Sequence, residues 1–327
     1  MRAIEITRPG GPEVLSFCER PMPEVGPGDV LIRVAAAAVN RPDVQQRRGL
    51  YPPPPGTTDL PGLDVAGIVE AAGADVSWPK PGDAVCALAN GGGYAAFCAV
   101  PAGQCMPLPK GADFVQAAAL PEAYFTAWNN VMWLGRLAVG ETLLVQGGTS
   151  GVGMAAIQMA KQLRSARVVA TAGTEEKLDK CRAIGADHAV SYRGDWAAAV
   201  VDAIGAQQVD VALDGQAGPY TEQQLQLLAP DGRVVLIASH LGEMAEVNVR
   251  NIVRRRLTLT GSTLRPRSAA YKARLAAELV REVWPLLETG RIENHICAVF
   301  DWRDVRDAHA LMDAGEQVGK VVLAVGA

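Results

Sequence analysis

Residues 142–161 read TLLVQGGTSGVGMAAIQMAK. An apolar, strand-like run meets Gly147 and Gly148; Ser150, Gly151 and Gly153 then lead at once into an amphipathic helical pattern. Strand, glycine-rich turn and helix in this order suit a pyrophosphate. The turn must be tight, its backbone must come close to the ligand, and the free N–H groups of the helix must point at the charge. Written as GxGxxG, the match is Gly148, Ser150 and Gly153, with serine at the middle position. Serine is small enough to permit close approach and adds a hydroxyl donor. A glycine-rich turn without a ligand is the plain alternative, and the surroundings decide between the two.

Downstream of Pro121, the runs TLLVQ, ARVVATA, DHAVS, VDVALD, RVVLIA and LTLTG follow one another between Thr142 and Gly261. Helical stretches separate most of them. In TEEKLDKCRAIG, Thr174 can cap, Glu175 and Glu176 suit the positive helix end, and Gly185 can stop the helix. Six strands alternating with helices predict an α/β unit with a doubly wound parallel six-stranded sheet. Upstream, short runs such as VLIRVAAAAV, LDVAGIV and DAVCAL lie between PEVGPGD, PPPPGTTDLPG, PKPGD and NGGG, which predicts a compact, barrel-like β unit. From about Ser268 a long helix, CAVFDW, another helix and KVVLAV leave the repeat, so the tail is expected to return to the first domain. The expected division is 1–122 with 268–327, and 123–267.

With 327 residues, 49% hydrophobic and 20% charged, the chain is long enough for two cores. A net charge of −4 offers no general attraction to nucleic acid or an anionic membrane. Arg2, Glu5 and Arg8 deny the N-terminus the apolar run of a signal peptide. No uninterrupted run of about 18 apolar residues occurs, so no membrane span and a cytoplasmic location are expected. Cys18, Cys86, Cys98, Cys105, Cys181 and Cys297 form no CxxC pair and no zinc-spaced cluster with histidines. They read as reduced, mostly buried thiols. The four histidines are dispersed.

The second strand selects the dinucleotide. A carboxylate near its end would bind an adenosine ribose 2′-hydroxyl. Here it ends VVATAG, with Ala172 and Gly173 at that place and Lys177 four residues on. Alone, Lys177 reads as an exposed helix lysine; with the acid missing, it becomes a point charge for a 2′-phosphate, and NADPH is the expected cofactor.

Taken together, GGPEVL, VNRPDVQQRRGLYPPPPG, PGLDVAG, PGDAV, PEAYFTAW, GTSGVGMAAIQMAK, IGADHAVSY, GSTLRPRS and VGKVVL resemble the zinc-free quinone oxidoreductase group of the medium-chain dehydrogenase/reductase superfamily. SGVG in place of SGGVG resembles the branch of the apoptosis-associated NADPH:quinone oxidoreductases. The resemblance covers nearly the whole chain. It implies a GroES-like β-barrel catalytic domain, a Rossmann domain, an active site in the cleft between them, and a homodimer joined through the Rossmann domains. It implies Ser150, Gly151 and Val152 at the pyrophosphate, and Gly173, Lys177 and Tyr192 around the 2′-phosphate. Asn40 and Thr126 would lie near the nicotinamide, with the backbone around Ser239, His240 and Leu264; Gln317 to Lys320 would also touch the cofactor. Apart from the resemblance, Tyr192 reads as a strand-end aromatic.

Zinc-dependent relatives place a cysteine ligand where this chain has Asn40, and a histidine where GLD has Leu63. The loop near CALANGGGYAAF offers Cys86 and Cys98 where a structural zinc needs four cysteines. Both zinc sites are therefore expected to be absent. Reducing an ordinary carbonyl builds alkoxide charge that a Lewis acid stabilises. A quinone delocalises that charge as a phenolate, whose pKa of about 10, set against about 15.7 for water, saves roughly 6 units at about 1.36 kcal/mol each. Several kcal/mol of metal assistance become dispensable, and an enone gains similarly through its enolate. The expected activity is NADPH-dependent quinone reduction. A 2-alkenal or enone reductase is one alternative, and a non-catalytic NADPH-binding protein another. Tyr51, in the loop YPPPP, reads equally as a substrate-side wall and as an aromatic packed for structure. Arg254 to Arg256 read as a basic helix end, not a nucleic-acid surface. Arg265 and Arg267 read as solvated, although one could reach a phosphate.

Overall fold

The computed structural model describes residues 1–325. They divide into one unit of residues 1–125 with the chain from Arg265 onward, and a second unit, Thr126–Leu264.

The second unit holds a parallel six-stranded sheet. Its strands in chain order are Thr142–Val145, Arg167–Ala172, His188–Ser191, Val209–Asp214, Leu228–Leu236 and Thr258–Gly261. In space they run third, second, first, fourth, fifth, sixth. This is the Rossmann order, with the direction of winding reversing between the first and fourth strands. Leu143 to Val145, Val168 to Ala170 and Val211 to Leu213 are buried without alternation, as expected of strands covered on both faces. The helix Gly151–Arg164 turns Met154 to Ala160 inward. The sixth strand is an edge and leaves Leu259 exposed.

The first unit is GroES-like. A seven-stranded sheet runs Ile296–Asp301, Lys320–Ala324, Asp29–Val39, Asp64–Ala72, Ala84–Leu88 and Cys105–Pro107, while Phe97–Pro101 pairs with Asp29–Val39. Ile32, Val65, Val85, Val321 and Leu323 are among its buried residues. Two registers matter for the site. Val39 faces Val321 across one antiparallel pair, and Ala38 faces Asp64 across the other. The residue after Val39 and the residue before Val321 therefore meet at the end of the sheet, beside Asp64.

The apolar segment around Pro121 is three short turns: Phe114–Ala118, Pro121–Ala127 and a π-helix, Trp128–Leu134. Among the described residues no helix is long and apolar enough to cross a membrane.

Candidate active site

In the Rossmann unit, the glycine that makes the tight turn is Gly147, at φ +75°, a conformation open to glycine at little cost. The motif reading on Gly148, Ser150 and Gly153 misses it, because spacing alone does not reveal which glycine bends the chain. Thr171, on the neighbouring strand, fixes the turn: its Oγ1 accepts from the Gly147 N–H at 3.1 Å and donates to Gln146 Oε1 at 2.7 Å. Gly148 N–H donates to the Thr171 carbonyl at 2.8 Å. Ser150 caps the helix, accepting from Gly153 N–H at 3.0 Å and donating to the Gly147 carbonyl at 2.9 Å. A Cβ on Gly153 would lie 2.4 Å from the Gly147 oxygen, so helix and turn approach as closely as backbones allow. Gly151 and Val152 stand in the first helical turn, whose N–H groups have no carbonyl four residues back. This cradle fits the diphosphate of a dinucleotide.

Of Gly173, Lys177 and Tyr192, the first and the last meet. The Tyr192 hydroxyl lies so close to Gly173 that a Cβ there would meet it at 2.3 Å. Lys177 sits one turn into the helix Glu175–Ala183, capped by Thr174. Beyond the fourth and fifth strands, His240 N–H donates to the Gly215 carbonyl at 3.2 Å, holding the Ser239–His240 loop at the carboxyl ends of the strands. Thr126 precedes the π-helix, and its carbonyl accepts from Asn130 Nδ2 at 2.7 Å. Leu264 is buried. Arg254 and Arg255 form the last turn of the helix Val249–Arg255. Arg255 donates to the Leu225 and Leu228 carbonyls and Arg256 pairs with Asp231, so two of the three arginines are structural.

In the GroES-like unit, the two strand registers assemble a buried polar centre. Lys320 Nζ donates to Asn40 Oδ1 and lies 2.8 Å from Asp64 Oδ2. Asn40 Nδ2 donates to the same Asp64 oxygen at 2.9 Å. The other Asp64 oxygen accepts from Glu122 N–H at 2.6 Å. Asp64 is fully buried and Lys320 nearly so. Leu63 is buried hydrocarbon. Asp43 accepts from Asn40 N–H and Gly62 N–H, both at 2.9 Å, and burial pushes its carboxyl up to about 6. Burial, with Asp64 adding repulsion, pushes Glu122 up to about 8. Lys272, whose Nζ donates to Asn90 Oδ1 and the Arg265 carbonyl, is brought down to about 8 by burial. Among the described residues no group of three or more His, Cys, Asp or Glu is placed to hold a metal ion.

One sequence reading changes here. Arg265 is not solvated: it is 5% exposed and its guanidinium packs over the Tyr51 ring, 5.6 Å from the centroid. Lys320, read as a cofactor contact, commits its ammonium to Asp64 and Asn40. Gln317 lies close by in sequence, with Oε1 buried and no hydrogen-bond partner among the described residues. Asp43, Asp64, Asn90, Glu122 and Lys272 escaped the sequence reading altogether. Glu122 alone carried a local signal, an acid set among the apolar neighbours of LPEAYF.

Family models match at both ends of this arrangement: the alcohol dehydrogenase GroES-like domain over residues 26–110, and the zinc-binding dehydrogenase over residues 151–281. The quinone oxidoreductase of Lama guanicoe is 34% identical, over 99% of this chain and 97% of its own. An Escherichia coli quinone oxidoreductase solved with NADPH superposes with a TM-score of 0.87 at 26% identity, over 99% of this chain and 100% of that one. A mycobacterial protein solved with NADPH gives 0.85 at 31%, over 99% of both. A structure described as an NAD-dependent alcohol dehydrogenase gives 0.85 at 32%, over the whole of both chains.

Proposed function

The chain belongs to the medium-chain dehydrogenase/reductase superfamily, and from that membership we propose that it is a zinc-independent NADPH:quinone reductase. The observation that carries this reading is the charge of the buried centre. Lys320, Arg265 and Lys272 stand against Asp43, the ion-paired Asp64 and Glu122, and burial raises the Asp43 and Glu122 carboxyls, which favours their neutral forms and leans the balance positive. The positive surplus favours negative charge developing on an acceptor oxygen, where zinc-dependent relatives use a metal. Leu63 supplies no ligand at the histidine position.

Ser150, Gly151 and Val152 would hold the pyrophosphate, with Gly148 packing the turn against Ala170 and Cys181. Gly173, Lys177 and Tyr192 would surround the 2′-phosphate. Asn40 and Thr126 would flank the nicotinamide, with the backbone of Ser239, His240 and Leu264. The relatives solved with NADPH support this choice of cofactor, as does the lack of an acid at the end of the second strand. When bound, NADPH supplies a hydride from its nicotinamide. Tyr51 would stack on or hydrogen-bond a flat acceptor and help keep it in place. The exposed edge strand with Leu259, and the exposed Val249 and Val253, suit a homodimer through this unit; sedimentation as a monomer at micromolar concentration would remove that part. Six unpaired thiols fit a reducing, cytoplasmic setting.

Steady-state kinetics with 9,10-phenanthrenequinone and with 2-alkenals test the proposal. NADPH oxidation with the quinone is expected, and the Lys177→Ala variant should raise KM for NADPH while leaving that for NADH nearly unchanged. Turnover with alkenals alone would transfer the reading to enone reduction. No turnover with any acceptor would leave a cofactor-binding protein.

A further inference from the structure

We infer that Arg265 is a positioning residue that fixes the Tyr51 ring and its loop, and through them the place of a flat, carbonyl-bearing acceptor. The acceptor half of this statement rests on the quinone-reductase reading; the clamp does not.

Arg265 grips the loop at two points. Its guanidinium sits over Tyr51 at 5.6 Å, within cation–π range. Its Nη1 donates to Gln46 Oε1 at 2.9 Å, and Gln46 Nε2 donates onward to the Asp59 carbonyl at 2.8 Å. The middle and the far end of the segment after the helix Arg41–Arg47 therefore hang on one side chain. Pro52 to Pro55 lie between these points and restrict the backbone further. Arg265 is itself anchored. Nε donates to the Asn90 carbonyl at 2.9 Å, and Lys272 bonds both the Arg265 carbonyl and the Asn90 side chain.

A packing role alone does not explain an arginine here. Its Nη2 is buried without a hydrogen-bond partner among the described residues, which is costly. Even the neighbouring backbone makes room for it, since a Cβ at Gly91 would lie 3.0 Å from Nη2. An apolar side chain would fill the volume without that cost, but it could not hold Tyr51 and Gln46 together. Tyr51 stays partly exposed.

Arg265→Met tests the clamp. With 9,10-phenanthrenequinone, KM should rise about tenfold, the equivalent of about 1.4 kcal/mol, with the KM for NADPH little changed. In a Tyr51→Ala background the same change should add nothing to KM; an equal rise in both backgrounds would show that Arg265 does not act through Tyr51. Independently of activity, hydrogen exchange at Leu50, Tyr51, Gly56 and Thr57 should quicken in Arg265→Met, and unchanged exchange would overturn the clamp. Should that variant fail to fold, Gln46→Leu keeps the cation over the ring and releases only the far anchor. Exchange should then quicken at Gly56 to Thr58, and no change there would likewise overturn the proposal. A wild-type protein that reduces no quinone would remove the functional reading, while the exchange measurements would still decide the clamp.

Discussion

At the scale of the residue, the ammonium of Lys320 answers the carboxylate of Asp64 in a site closed to water. Taking two charges out of water is expensive, and their attraction offsets that only while both are present. Lys320→Met should therefore destabilise the protein by about 3–5 kcal/mol, because it strands Asp64 as a buried, uncompensated charge. Adding Asp64→Asn should recover a large part of the loss, as read from urea unfolding midpoints. A second substitution that merely adds to the damage would show that the pair is not coupled. Asn40 and Lys320 were each visible in the sequence as positions of interest. Their meeting was not, because 280 positions separate them and only the strand registers bring them together.

Among the elements, the strand–turn–helix from Thr142 to Arg164 was the most legible, since the bonds of Gly147, Gly148 and Ser150 that shape its turn lie within the segment or run to Thr171 on the adjacent strand. Its tolerance for change is correspondingly small. Gly153→Ala should cost about 1–3 kcal/mol by overpacking and weaken NADPH binding by opening the turn. The reason is that the new methyl would meet a backbone oxygen at 2.4 Å, and a backbone cannot rotate away as a side chain can. Fluorescence titration with NADPH and a thermal melt would check both effects, and wild-type affinity in the variant would count against the cradle. The π-helix Trp128–Leu134 was not legible. Its sequence, WNNVMWL, has no feature that separates a five-residue hydrogen-bond step from a four-residue one. There Asn130 satisfies the Thr126 carbonyl and Asn129 Nδ2 donates to Ser262 Oγ at 3.0 Å. The first bond is local; the second is a tertiary demand on an otherwise apolar segment.

On the scale of the whole molecule, the return of the chain to its first unit is locked by His309. Arg47 can only donate, so its 3.2 Å contact makes His309 Nδ1 the acceptor and leaves Nε2–H to donate to Tyr94 Oη, also at 3.2 Å. Arg47 also pairs with Asp313 at 2.7 Å. Burial, aided by the Arg47 charge, brings the imidazole down to about 3. An unfolded histidine takes up a proton near 6.5, so the contribution of His309 is complete above that pH and is lost as the pH falls from 6.5 towards 3. Between pH 7 and pH 5 this one group should remove about 2 kcal/mol. Asp43 and Glu122, both raised by burial, favour the fold on acidification and act against this loss, so total stability does not isolate it. The comparison with His309→Leu isolates it: the variant should be weaker at pH 7, and its stability relative to the wild type should rise by about 2 kcal/mol between pH 7 and pH 5 in urea unfolding; a difference that does not move with pH would overturn the assignment. By itself the sequence determined the two architectures, the phosphate turn and the likeness to the quinone oxidoreductases, because periodicity, glycine placement and capping act over a few residues. Only the tertiary structure decided that Asn40, Asp64 and Lys320 form one centre, that Arg265 is buried against Tyr51, and that Glu122 and Lys272 titrate near 8. Those properties arise from burial and from partners far away in the chain, and a side chain's local sequence carries neither.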